Sequence, residues 1–105
     1  MTLPERYAVF QPFSCDKRDP QRDFTPAEIA ATVQAARRHD VPLVLINQGS
    51  DPPIRGVIDL QNNTNLYGSI DITLGAAIYI GIDSAMSQVA TKVLPADKIV
   101  IKHYN

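Results

Sequence analysis

The chain of 105 residues has the length of one small domain, and its 45% hydrophobic and 20% charged residues exclude a disordered or fibrous protein. A formal net charge of −1 leaves no broad positive field for a polyanion, so nucleic acid is not an expected partner. The lone Cys15, a start without a signal-peptide pattern and apolar stretches too short to span a bilayer predict a cytoplasmic protein without a membrane span.

The first half of the chain predicts a strand, a polar loop and a helix. Residues 7 to 10 (YAVF) form a short β-favouring run. After the loop, Thr25 and Glu28 have the spacing of a capping box, and Pro26 occupies the first helical position. The predicted buried face of this helix carries Ile29, Val33 and Ala36.

Four further strands are predicted, at residues 41–46, 57–60, 78–82 and 98–102. Two more helices are predicted from apolar stripes, one of Leu66, Ile70, Leu74 and Ala77 and the other of Met86, Val89, Ala90 and Val93. Strands that alternate with helices predict a single Rossmann-like three-layer α/β domain with a doubly wound parallel sheet of about five strands.

In such sheets ligands bind beyond the carboxyl ends of the strands, where the strand order reverses. The sharpest candidate there is GIDSAMSQVA, residues 81–90, in which a strand ends and a helix begins with unpaired N–H groups. The hydroxyl of Ser84 and the backbone at Ala85 and Met86 could hold a phosphate. The alternative is that Asp83 or Ser84 only caps the helix.

The loops after the first two predicted strands offer further candidates. Lys17, Arg18 and Arg22 could neutralise a diphosphate, or they are solvated surface charges. Ser14 could donate to a phosphate or serve as a turn residue. After the second strand, Gln48 and Asp51 lie where a ribose or base edge could bind, although two prolines follow and favour a plain turn.

Catalytic and metal chemistry find little support. His39 is interpreted as compensating a helix dipole, His103 has no carboxylate at a fixed spacing, and Cys15 has no neighbouring metal-ligating residue. The sequence contains neither G-x-G-x-x-G nor G-x-x-x-x-G-K-[ST], which argues against a dinucleotide oxidoreductase and a P-loop enzyme. No metal and no resident cofactor are predicted.

Residues 79–93, YIGIDSAMSQVATKV, resemble a signature of the heptosyltransferase-like (family 9) glycosyltransferases of GT-B architecture, in which a hydrophobic strand precedes G-x-D-[ST]-G-x-x-H. YAVFQPFS, the segment from Arg22 to Asp40 and VPLVLINQGSD are similar to the preceding pieces of that family's C-terminal domain, so the resemblance covers nearly the whole chain. Two positions depart from the signature: its glycine is Ala85 here, and its histidine is Gln88.

The resemblance implies a domain that binds a nucleotide diphosphate-sugar. The positions that match the family's diphosphate contacts are Ser14, Arg22, Asp83, Ser84 and Ala85. A GT-B enzyme needs a second domain, which holds the acceptor and supplies the base, so this chain is expected to be half of that architecture and not to be catalytic alone. It is then a truncated piece, or a reduced module that buries an exposed face against a partner domain or itself.

A second class of function stays open. The chain could be a small interaction or structural domain that keeps the fold and has lost nucleotide binding, as Ala85 and Gln88 would favour. A stand-alone hydrolase or transferase would need a catalytic pair, and the sequence does not supply one.

Overall fold

A computed structural model describes residues 3–13, 23–46, 54, 56–60, 66–82 and 84–102. Five strands and three helices alternate along these residues. In chain order they are β1 (Ala8–Gln11), α1 (Pro26–Arg38), β2 (Leu43–Leu45), β3 (Ile58–Asp59), α2 (Leu66–Leu74), β4 (Ile78–Ile82), α3 (Ala85–Val93) and, after a 3₁₀ turn at Ala96–Lys98, β5 (Ile99–Lys102).

The five strands form one all-parallel sheet in the order β3-β2-β1-β4-β5. The strand order reverses between β1 and β4, whose register aligns Ala8 with Ile78 and Gln11 with Gly81. The predicted fold class is confirmed, and every predicted strand is present. β4 has the predicted bounds, β1 is displaced by one residue and runs to Gln11, and the other strands are shorter than predicted, β3 having only two residues.

Alternating side chains of the strands pack on opposite faces of the sheet. On one face Val9, Val44 and Tyr79 contact α2 and α3 through a cluster that includes Ile72, Ala76, Met86 and Ala90. On the other face Ala8, Phe10, Leu43, Leu45 and Ile82 pack with Phe24, and the predicted face of α1 covers them with Ile29, Val33 and Ala36. Helices on both faces make the domain three-layered.

The face packed by α1 is not fully covered. Val100 of β5 is 56% exposed, and Ile78 and Ile80 of β4 are only partly buried. These residues line a shallow, largely apolar groove of about 360 Å³ beside α1. A parallel sheet is normally covered on both sides, so this part of the face is an exception to the rule.

The predicted stripe of α2 is wrong in part. Leu74 is 49% exposed, whereas Ser69, Ile72 and Thr73 are buried. Residues spaced by four drift about 40° per turn around a helix, so a long row with that spacing leaves the core-facing side. Thr73 is accommodated there because its hydroxyl donates to the carbonyl of Ser69 at 2.8 Å.

The predicted stripe of α3 holds in its first two turns. Met86 and Ala90 are buried, while Val93 at the end of the helix is 47% exposed. Within the described segments, none of the helices is long and apolar enough to cross a membrane.

Candidate functional site at the carboxyl edge of the sheet

The reversal of strand order brings the carboxyl ends of β1 and β4 together. Gln11 ends β1, and Ile82 ends β4 two residues before Ser84, the N-cap of α3. The side chains of Gln11 and Ser84 are in hydrogen-bond contact, although 73 residues separate them in sequence. The edge at which open α/β sheets bind ligands is therefore formed here by the end of β1 and the first turn of α3.

The first turn of α3 is closed by two serines. The Ser84 hydroxyl accepts the N–H of Ser87 at 3.4 Å, and the Ser87 hydroxyl accepts the N–H of Ser84 at 2.8 Å. Ser87 also donates its hydroxyl hydrogen to the Ser84 carbonyl at 2.6 Å. This is a capping box without a charged residue, and α3 has no acidic residue in its first turn.

Gln11 joins this turn to the sheet. Its Oε1 accepts the Ser84 hydroxyl at 2.8 Å and the Tyr79 hydroxyl at 2.9 Å. Tyr79 is fully buried, and its hydroxyl also lies 3.2 Å from the Ile82 carbonyl. One amide oxygen therefore ties together β1, β4 and the cap of α3.

Gly81 makes this arrangement possible. A Cβ at this position would lie 2.8 Å from the Gln11 carbonyl oxygen and 2.8 Å from the Tyr79 hydroxyl oxygen. Tyr79 and Gly81 are on the same face of β4, so the ring reaches the edge by passing over the glycine. The described atoms closest to this position belong to the Gln11 backbone and the Tyr79 ring.

The N-terminus of α1 lies at the same edge, and its capping box includes a charged residue. The Thr25 hydroxyl accepts the N–H of Glu28 at 3.1 Å, and the Glu28 carboxylate accepts the N–H of Thr25 at 2.8 Å, which confirms the predicted capping box. The ammonium group of Lys102 lies 2.8 Å from the same carboxylate oxygen. Its hydrogen bond is the main reason that the pKa of Glu28 is lowered, and the hydrogen bond from the Thr25 backbone adds to it.

The structure describes only some of the predicted site residues. Ser84 is the N-cap of α3 and Ala85 its first residue, as the capping interpretation requires. His39 is the C-cap of α1, at the opposite edge from the candidate site. The other candidates fall outside the described residues, namely Ser14, Cys15, Lys17, Arg18, Arg22, Gln48, Asp51, Asp83 and His103.

Three residues of this edge were not predicted from the sequence as part of the site: Gln11, Tyr79 and Ser87. Gln11 could have been suspected, because it is the polar end of an otherwise apolar strand at the edge where ligands bind. No local signal identifies Tyr79 as its partner, since 68 residues separate the two. Within the described residues there is no group of three or more His, Cys, Asp or Glu side chains that could hold a metal ion.

No protein-family model matches the chain, and no curated protein matches it significantly. Two solved structures of TibC are similar to it in fold. One, the iron-containing dodecameric glycosyltransferase from enterotoxigenic E. coli H10407, matches with a TM-score of 0.75 and 13% identity over 96% of this chain. The other, the iron-containing heptosyltransferase in complex with ADP-D-beta-D-heptose, matches with a TM-score of 0.68 and 16% identity over 96% of this chain.

This chain spans only 28% and 27% of those two chains. At such low identity the similarity shows the fold and not the activity. The predicted resemblance to heptosyltransferase-like proteins is confirmed at that level.

Proposed function

We propose that this chain is a glycosyltransferase-like domain that binds a nucleotide diphosphate-sugar. The observation that carries the proposal is the coincidence of the strand-order reversal with the N-terminus of α3, whose capping box contains no charged residue. The same fold occurs in a heptosyltransferase that was solved with ADP-D-beta-D-heptose. We assign the diphosphate to the first turn of α3.

Helix geometry supports this assignment. The N–H groups of the first turn have no intrahelical acceptors, and among the described contacts the Ser84 hydroxyl accepts that of Ser87. The N–H groups of Ala85 and Met86 carry the positive end of the helix dipole, which favours an anionic oxygen. At α1 the corresponding position already holds the carboxylate of Glu28, which would repel a phosphate.

The remaining predicted residues complete the proposed site. Ser14, Lys17 and Arg22 follow β1 and are proposed to contact and neutralise the diphosphate. Asp83 precedes the cap of α3, where it would bind a hydroxyl or an amide of the ligand. Gln48 and Asp51 follow β2, the strand next to β1, and are proposed for the ribose or base edge.

We further propose that the chain is one half of a GT-B architecture and does not transfer sugar alone. The support is its similarity to little more than a quarter of a glycosyltransferase chain. The described residues at the carboxyl edge are hydroxyls, an amide and one Glu–Lys pair that is engaged in capping α1. A second domain would hold the acceptor and supply the base that deprotonates it.

Calorimetric titration with ADP, UDP and GDP tests the proposal. At least one nucleotide should bind, and Ser84→Ala should weaken its binding about fivefold, because it removes the hydroxyl that caps the first turn of α3 and holds Gln11. Thr25→Ala is the matched control, because it removes the same kind of cap from α1 and should leave the affinity unchanged. No binding of any nucleotide at millimolar concentration, or equal losses in both variants, would contradict the proposed site.

The uncovered part of the sheet favours a second candidate function, an interaction domain without nucleotide binding. The observation that favours this candidate is that Val100 is 56% exposed, next to the partly buried Ile80 on the neighbouring strand. A second copy or a partner domain could bury this apolar strip. If this is the function, a dimer that Val100→Glu dissociates should be seen by sedimentation, with no response to nucleotides.

A further inference from the structure

The end of β1 carries a side chain that the sequence did not assign to the site. Gln11 is partly buried between β4 and the cap of α3, and both of its described hydrogen bonds fall on Oε1. An amide oxygen has two lone pairs, so the Tyr79 and Ser84 hydroxyls use its whole capacity as an acceptor. The two N–H donors on Nε2 are the groups that this amide can offer to a further partner.

These bonds also fix the direction of the Ser84 hydroxyl hydrogen. Ser84 donates to Gln11 Oε1 at 2.8 Å while its oxygen faces the N–H of Ser87. The one hydrogen of this hydroxyl is therefore directed at the amide and not into the crevice. A phosphate that approaches the first turn of α3 would find the Gln11 amide next to that hydroxyl, as a neutral donor at the same edge.

The position of the amide is rigidly determined. The Tyr79 ring is fully buried and passes over Gly81, so its hydroxyl holds Oε1 from the sheet side. Ser84 holds the same oxygen from the helix side. Since both hydroxyls donate to Oε1, the amide cannot be turned over without replacing two good hydrogen bonds.

We infer that Gln11 is a recognition residue of the proposed diphosphate site: its Oε1 positions the Ser84 cap, and its Nε2 donates to a phosphate oxygen. The inference rests on the proposed function, because it needs an anionic ligand at the first turn of α3. Its two N–H groups need an acceptor atom on the ligand, which a phosphate oxygen provides. Gln11 is not among the residues that the family resemblance assigns to the diphosphate.

Glu and Met substitutions at position 11 separate the two roles of the amide. Gln11→Glu has the same shape and keeps an oxygen for both hydroxyls, but it removes the Nε2 donors and adds a negative charge. The thermal transition should stay close to that of the wild type, while ADP binding falls by at least about tenfold. Gln11→Met removes donor and acceptor without charge, and should lower both the transition and, about fivefold, the affinity.

The outcomes are distinguishable by calorimetry with ADP and by thermal unfolding. A wild-type protein that does not bind ADP, UDP or GDP would overturn the proposed function and this inference with it. Wild-type binding that both variants retain in full would overturn only the role of Gln11. A purely structural role predicts that Gln11→Glu loses no more ADP affinity than Gln88→Glu, which adds the same charge at the first turn of α3, so a larger loss in a variant of unchanged stability supports recognition.

Discussion

The N-termini of α1 and α3 open at the same edge of the sheet, and each is closed by a four-residue capping box, but only the box of α1 contains a charged residue. Thr25 and Glu28 close α1 with a carboxylate that Lys102 neutralises. Ser84 and Ser87 close α3 with hydroxyls, and α3 has no acidic residue in its first turn. The same backbone geometry therefore gives a structural end at α1 and an end suited to an anion at α3.

The two helix N-termini also differ in the residues that their caps contact. The cap of α3 is tied to the sheet through Gln11 and Tyr79, whereas the cap of α1 is tied to Lys102 at the end of β5. A partly buried hydrogen-bond network holds its groups more rigidly than an exposed ion pair does. Substitutions in the network that holds the α3 cap should therefore lower the stability more than substitutions in the α1 cap.

The largest expected effect comes from Gly81→Ala. The added Cβ would be 2.8 Å from the carbonyl oxygen of Gln11 on the neighbouring strand, which cannot move without breaking the ladder. We expect a loss of about 1–3 kcal/mol in the free energy of unfolding, the usual cost of overpacking. Urea denaturation measures it, and an unchanged midpoint would show that β1 and β4 are not so close at this edge.

The next effect compares the two caps directly. Thr25→Ala should lower the free energy of unfolding by about 1 kcal/mol, the typical cost of losing an N-cap. Ser84→Ala should cost more, about 2 kcal/mol, because it also leaves Gln11 Oε1 with one partner fewer in a partly buried place. Parallel urea titrations give the two values, and equal losses would contradict the bond between Ser84 and Gln11.

A third change makes the α3 end resemble the α1 end. Gln88 is exposed in the first turn of α3, so Gln88→Glu should stabilise the helix by about 0.3–1 kcal/mol through the helix dipole. The same carboxylate should weaken ADP binding several-fold by repulsion. Gln34→Glu, on the exposed side of α1, adds equal charge as a control and should not change the affinity.

The smallest expected effect is a pH dependence of the stability that the Glu28–Lys102 pair at α1 contributes. The pKa of Glu28 is lowered from its ordinary value of 4.5, first by the hydrogen bond from Lys102. Its contribution is therefore complete above pH 4.5 and is lost as the pH falls through the lower folded-state pKa. The pair is exposed, so the stability difference between wild type and Glu28→Gln should be at most about 0.5 kcal/mol at pH 7 and vanish in acid.

These two ends also show what the sequence could predict. The box at α1 was predicted because Thr-Pro-x-Glu is a local pattern, and the strands were predicted because buried parallel strands are apolar runs. The box at α3 uses Ser87 in place of the usual Glu, so only its N-cap was recognised. Gln11 was missed because its partners are 68 and 73 residues away and only the folded sheet brings them together.

The most direct test of the contrast between the two ends is a map of backbone amide shifts during titration with ADP. Shifts are expected at Gln11 and from Ser84 to Gln88, with none from Thr25 to Glu28. Shifts that centre on the N-terminus of α1, or no shift anywhere at millimolar ADP, would contradict it.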